Sequence, residues 1–156
     1  MQNNHIEGDL NMDTELFELY KNLIRCRAVS ADIEAVNKSE KLLLAYLQKQ
    51  GLYCTEEMID GRVVVYASTM PGKVQDLLLN AHLDVVPAAY EEQFEPRVEG
   101  DRLYGRGAHD CLGNAMAIIQ CLLKAKDKYS VGAVSNISCV ASSDVLSCDI
   151  PFIVCC

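Results

Sequence analysis

The hydrophobic period changes at Gly51, and that change limits the chain to folds in which helices lie on a sheet. Before it, apolar residues recur at helical spacing. From Asp13 or Thr14 as a cap, Leu16, Phe17, Tyr20, Leu23 and Ile24 mark one face of a first helix. A second helix is predicted over 33–49, with Val36, Leu43, Leu44 and Leu47 among Lys38, Glu40 and Lys41, and Gly51 stands where a left-handed cap belongs. Beyond Gly51 the pattern is strand-like: Tyr53 to Met58, an Asp60-Gly61 turn, Val63 to Thr69, a Pro71-Gly72 turn, and a short buried run from Asp76 to Asn80. Arg97-Val98 and Leu103-Tyr104 flank Glu99-Gly100-Asp101 as a small surface hairpin. Leu112 to Lys126 returns to helical spacing, with Ala115, Met116, Ile119, Leu122 and Leu123 on one side, and Ser135 to Ala141 alternates as a strand. This order predicts an α/β fold, a three-layer sandwich with a mixed central sheet and helices on its faces. Residues 1–11 read as a loose lead-in and 12–144 as the domain.

The chain has 156 residues, half of them hydrophobic, which is enough to bury a core without staples. Its net charge of −8, with no run of Lys or Arg, excludes the electrostatic footprint that nucleic acid or an anionic membrane requires. The longest apolar stretches fall far short of the roughly 20 residues that cross a bilayer, and the first ten residues contain no apolar signal region, so a cytoplasmic location is expected. Eight cysteines suffice for disulfides. Without a secretory signal, and without a paired C-x-x-C, free thiols are the expected state.

The chemistry concentrates in two segments. In the first, Leu77-Leu78-Leu79-Asn80-Ala81-His82-Leu83-Asp84-Val85-Val86-Pro87, a buried strand runs into His-x-Asp. Residues i and i+2 at a strand end point the same way, so Asp84 can orient one ring nitrogen of His82 while the other faces a metal. The same triplet also fits a loop histidine beside an acidic residue. The second segment, Gly105-Arg106-Gly107-Ala108-His109-Asp110-Cys111-Leu112-Gly113, opens the third helix. Its glycines permit close backbone approach, and Asp110 presents a carboxylate suited to bridging two cations, or alternatively caps the helix.

Taken together, LLLNAHLDVVPA and FEPRVEGDRLYGRGAHDCLGNA resemble the zinc-dependent exopeptidase and deacylase family that includes acetylornithine deacetylase, succinyl-diaminopimelate desuccinylase, aminoacylase and glutamate carboxypeptidase. The resemblance runs from about Leu16 to Asp144 and implies the N-terminal part of a metallopeptidase catalytic domain. It implies His82 as a zinc ligand, Asp84 as the catalytic-site aspartate that orients it, and Asp110 as the bridging ligand. It implies two Zn2+ ions, with Co2+ or Mn2+ as substitutes, that activate a water and polarise the amide carbonyl of an N-acyl amino acid or short peptide. Relatives carry a cis peptide after the bridging aspartate, so Asp110-Cys111 is expected to be cis. Arg106 is expected to hold its loop by a salt bridge or backbone contacts, and His109 to be a loop histidine. Family members are usually homodimeric through a further domain that has no counterpart here.

The chain departs from the family pattern at its end. An Asp-Glu-Glu triplet, which supplies the general base and a further ligand, is expected on the strand after the long helix. Asp144 fits its first position, but Val145 and Leu146 occupy the other two and can neither take a proton nor bind a cation. Leu112 stands where many members place lysine. From Val145 to Cys156 nothing follows the family, and three cysteines fall in the last nine positions against five in the preceding 147. A shifted reading frame near codon 145 explains both features, and coding DNA with no neighbouring frame continuing as Glu-Glu would exclude it. The competing account makes Cys148, Cys155 and Cys156 a metal or redox site, although adjacent cysteines diverge too far to share one tetrahedral ion. The segment from Ile150 to Cys156 also reads as an exposed patch or edge strand.

Two functional readings follow. One is a zinc-dependent hydrolase of amide or peptide bonds present as a truncated chain. The other is a non-catalytic truncated domain with an incomplete metal site, at most an interaction or aggregation-prone fragment. Two ligands are too few to hold two zincs against water, so metal is expected to bind weakly or not at all.

Overall fold

The computed structural model describes residues 13–135 and 153–155. Helix α1 (Thr14–Arg25) buries Leu16, Leu19, Tyr20, Leu23 and Ile24. Asp13 occupies its N-cap position but makes no side-chain cap hydrogen bond. Helix α2 (Ile33–Lys49) begins with a true cap, in which the Asp32 carboxylate accepts the Ala35 amide at 3.0 Å. It ends before Gly51, whose φ of +72° provides the left-handed exit read from the sequence. Both helices lie within their expected bounds.

The sheet follows. Strands β1 (Tyr53–Ile59) and β2 (Arg62–Ser68) pair antiparallel through the tight Asp60-Gly61 turn, where both residues have positive φ. Strand β3 (Leu77–Ala81) leads to a one-turn 3-10 segment, Glu91–Phe94, and to the separate hairpin of β4 (Arg97–Glu99) and β5 (Arg102–Tyr104). Helix α3 (Asn114–Ala125) precedes β6 (Val131–Ser135), and β7 (Ile153–Cys155) completes the described elements. The main sheet runs β1-β2-β6-β3-β7. Its first two junctions are antiparallel and the two flanking β3 are parallel, so the sheet is mixed as expected.

Strand β6 was not anticipated from the sequence. It occupies Val131–Ser135, earlier than the alternating stretch 135–141, of which residues 136–141 lie outside the described residues. A central strand is covered on both faces and therefore lacks alternation. Val131-Gly132-Ala133-Val134 reads instead as one small apolar run. Helix α3 starts two residues later than expected, because Ala108–Gly113 forms an irregular turn in which Asp110 has extended φ/ψ of −122° and 101°.

The core lies on one sheet face. Val63, Val65 and Ala67 of β2, Ala81 of β3 and Val131 of β6 meet Leu16, Leu23, Leu43, Leu47, Met116, Ile119 and Leu122 from the three helices. The opposite face carries a smaller cluster of Val64, Leu78 and Val134. Of the three expected layers, the described residues therefore supply two. Strand β1 leaves Thr55, Glu56 and Glu57 exposed, a charged edge that discourages pairing with another chain. At the other end of the order, β7 forms the edge strand anticipated near Ile150 to Cys156, pairing Ile153–Cys155 with Leu78–Asn80.

Candidate functional site

His82 is the first residue after β3, and the chain beyond it is held by the loop that joins α1 to α2. The Val85 amide donates to Ala28 O at 2.8 Å, and the Ser30 amide donates to Val85 O at 3.0 Å. Ser30 Oγ donates to Asp84 Oδ2, while Arg62 Nη2 on β2 donates to Ser30 O at 2.9 Å. Asp84 is almost completely buried, at 1% exposure. It therefore acts as a fixed support behind the site, with its hydrogen bonds satisfied inside the protein.

The geometry defines the state of His82. Nδ1 lies 2.9 Å from the Asp84 carbonyl and 3.3 Å from Asp84 Oδ1. Both neighbours are acceptors, so Nδ1 is the nitrogen that donates on this side of the ring. Nε2 faces Asp110, whose Oδ1 is 3.6 Å away and whose side chain is 85% exposed. The Asp84 carboxylate, then its carbonyl and the Asp110 charge, hold the His82 pKa above its ordinary value against the opposing effect of burial. This is the oriented histidine expected from His-x-Asp.

The glycine-rich segment is locked to the same loop. Gly107 has a φ of +78°, and a Cβ there would lie 2.4 Å from Val85 Cγ1. At Gly113 a Cβ would lie 2.7 Å from Ala108 O and 3.0 Å from Tyr20 Oη, so α1 and the turn meet where no side chain fits. Tyr20 Oη donates to Ala108 O across that contact. The Arg106 amide donates to Gln93 O at 2.6 Å, and its Nη2 donates to Gln93 Oε1 at 3.2 Å. Arg106 thus holds the loop by hydrogen bonds to Gln93. The Asp110-Cys111 peptide is cis, as the resemblance implied.

An open cleft between these segments is lined by Ser30, His82, Asp84, Arg106, His109 and Asp110. His109 is exposed on its wall, consistent with a loop histidine. Asp110 is not a helix cap: Gly113 occupies that position, and the carboxylate points into the cleft. Sequence reading brought together His82, Asp84 and Asp110 but missed Ser30, Arg62 and Tyr20, whose partners are remote in the chain. It also missed Cys111, whose Sγ lies within 4.8 Å of donor atoms of both His82 and Asp110. Asp144, Val145 and Leu146 lie outside the described residues, as do Cys139, Cys148 and the side chains of Cys155 and Cys156. Among the described cysteines, Cys26, Cys54 and Cys121 are free thiols.

A histidine at a strand end, supported by a buried aspartate and facing a second carboxylate across a cleft, places two potential metal donors at the strand ends of an α/β fold. The family description Peptidase family M20/M25/M40 matches residues 78–142. The chain is 31% identical over 121 residues to an acetylornithine deacetylase of Dictyostelium discoideum, covering 68% of this chain and 27% of that protein. It is 35% identical over 103 residues to a succinyl-diaminopimelate desuccinylase of Dinoroseobacter shibae, covering 62% and 26% respectively. Among solved structures, an M20 family metallo-carboxypeptidase from Sulfolobus solfataricus superposes with a TM-score of 0.65 at 29% identity, over 80% of this chain and 30% of that one. By sequence and by fold the chain is a relative of the M20 metallopeptidases and deacylases, and it spans about a quarter of the length of these two curated relatives.

Proposed function

We propose that this chain is part of a zinc-dependent amidohydrolase acting on N-acyl amino acids or short peptides, and that His82 and Asp110 hold metal while Asp84 positions His82. The carrying observation is the line from Asp84 through the His82 ring to Asp110, with Nε2 and Oδ1 at 3.6 Å. That separation suits two donors on one small divalent ion, and the nitrogen–oxygen donor set suits zinc or cobalt. A bound divalent ion would supply a water of lowered pKa and polarise the substrate carbonyl.

The protein's own contributions are positional. The Asp84 carbonyl and carboxylate direct the imidazole, and Ser30 holds that carboxylate in place. The exposed Asp110 carboxylate faces the cleft, where Arg106 and His109 offer donors to a polar substrate. Asp84 is too enclosed to exchange a proton with substrate, so it is a positioning residue. Free thiols at Cys26, Cys54 and Cys121 suit a reducing compartment such as the cytoplasm.

The domain is read as residues 12–144, with a foreign sequence from Val145 onward. The family match ending at 142 supports that boundary. Val145 and Leu146, in place of two carboxylates, favour the second reading, a non-catalytic domain retaining half a site. Adding Zn2+ or Co2+ to the full chain with N-acetyl and N-succinyl amino acids and dipeptides, and measuring released amine, separates the two. Amine release abolished by His82→Ala supports the hydrolase. Metal binding without release supports the half-site domain.

A further inference from the structure

We propose that Cys111 is a third metal ligand, so that the chain holds one tetrahedral divalent ion through His82 Nε2, an Asp110 carboxylate oxygen and the Cys111 thiolate. The inference rests on the metal reading of His82 and Asp110 above. It assigns a donor that the resemblance does not supply, because in that pattern the residue after the bridging aspartate carries no ligand role.

Three observations carry it. The donor atoms of His82, Asp110 and Cys111 all lie within 4.8 Å of one another. Cys111 is completely buried beside the cleft, whereas Asp110 is exposed and His82 is intermediate, so the thiol would be the most enclosed of the three donors. Bond lengths of about 2.0–2.3 Å to nitrogen, oxygen and sulfur place the corners of a zinc tetrahedron roughly 3.3–3.8 Å apart. The His82–Asp110 edge already has that length at 3.6 Å, and closing the sulfur edges requires a shift of at most about 1.5 Å.

The charges also balance. As the metal–sulfur bond forms, the Cys111 thiol releases its proton to solvent, and no electrons are transferred. One thiolate and one carboxylate neutralise a divalent ion, and the neutral imidazole is the third donor. Asn114 Nδ2 lies 3.7 Å from Cys111 Sγ, placed to donate a hydrogen bond to the bound thiolate, as Asp84 supports His82 from behind. A thiolate in the set shifts preference away from Mg2+ and Mn2+ and toward zinc-like ions. Three protein donors with a fourth corner open to water make a single-ion centre. This raises the expected affinity above that of a two-ligand site.

The test is titration of the metal-free full chain with Co2+, read by the near-ultraviolet thiolate-to-cobalt charge-transfer band and the visible bands of tetrahedral cobalt. The expected result is a charge-transfer band saturating at one Co2+ per chain. It should persist when Cys139, Cys148, Cys155 and Cys156 are all replaced by Ser. Cys111→Ser should abolish the band and weaken Co2+ binding by at least the ~10–100-fold that loss of a supporting residue already costs. His82→Ala alters a partly exposed side chain and should also abolish the band, which ties the sulfur and the imidazole to one ion even if the Cys111 variant fails to fold. Co2+ binding without a charge-transfer band would overturn Cys111 as a ligand and leave the His82–Asp110 reading standing. A band that survives His82→Ala would also overturn it, by assigning the thiolate to another site. No Co2+ binding at all would defeat both readings.

Discussion

Glu40 is the most consequential buried charge in the structure, and replacing it with Gln tests the account of the core behind the site. It lies on α2 at 1% exposure, with Oε2 accepting from Ser135 Oγ at 2.6 Å on β6 and Oε1 without a hydrogen-bond partner. Burial, opposed in part by the Ser135 hydrogen bond and reinforced by the Asp84 charge, pushes its carboxyl up to about 8 from an ordinary 4.5. The folded chain therefore keeps a proton that the unfolded chain releases above pH 4.5. Stability is highest below that value, falls as pH rises toward 8, and levels off beyond it. At 1.36 kcal/mol per pH unit, the loss between pH 5 and pH 8 is about 3 kcal/mol, a large fraction of the ~5–15 kcal/mol typical of a whole domain. Glu40→Gln keeps the shape, can still accept from Ser135, and has no proton to lose. Urea unfolding followed by circular dichroism should therefore show the variant gaining on the wild type by about 3 kcal/mol across that pH range. Taking the difference between the two proteins cancels the other titrating groups. A difference that is the same at pH 5 and pH 8 would refute the assignment of a protonated, buried Glu40.

The supports of the candidate site make further predictions. Ser30→Ala removes a donor from a buried carboxylate and should cost about 1.5–3 kcal/mol in urea unfolding. An unchanged midpoint would show that Ser30 does not hold Asp84. Gly107→Ala should destabilise by more than Gly61→Ala. Both have a φ of +78° and bear the backbone cost of about 1–2 kcal/mol, but only at Gly107 does the new Cβ meet another residue, Val85. Equal losses in the two variants would refute the close approach. In the metal-free chain, Asp84→Asn should lower the His82 pKa, followed by NMR of its ring protons, because the hydrogen bond to the Asp84 carboxylate is the first cause raising it and the charge of that carboxylate adds to it. An unchanged titration would show that the carbonyl alone orients the ring.

Much of the fold was legible because its signals are local. The Gly51 exit and the two-residue Asp60-Gly61 turn each depend on neighbours in sequence, and both lie where the pattern placed them. The His-x-Asp unit was legible for the same reason, since strand geometry aligns residues two apart. Strand β6 was not legible because central strands lose the alternation that identifies edge strands. Glu40 was read as part of a polar face, although it sits four residues after Val36 and three before Leu43, in the register of the buried stripe. Its polarity concealed what its position indicated.

The sequence alone determined the local geometry: helices by period and capping, turns by residues that tolerate positive φ, and a histidine aimed by the aspartate two positions on. Only the tertiary structure decided what surrounds that geometry. Ser30 reaches Asp84 across 54 positions, Tyr20 reaches Ala108 across 88, and Ser135 reaches Glu40 across 95. Cys111 comes near His82 on a turn whose Gly107 lies against the Val85 side chain and whose Gly113 lies against Tyr20 and Ala108 O, where a further side chain would not fit. Such contacts leave no period in the chain. They depend on how far one element can enter another, which is a property of packing.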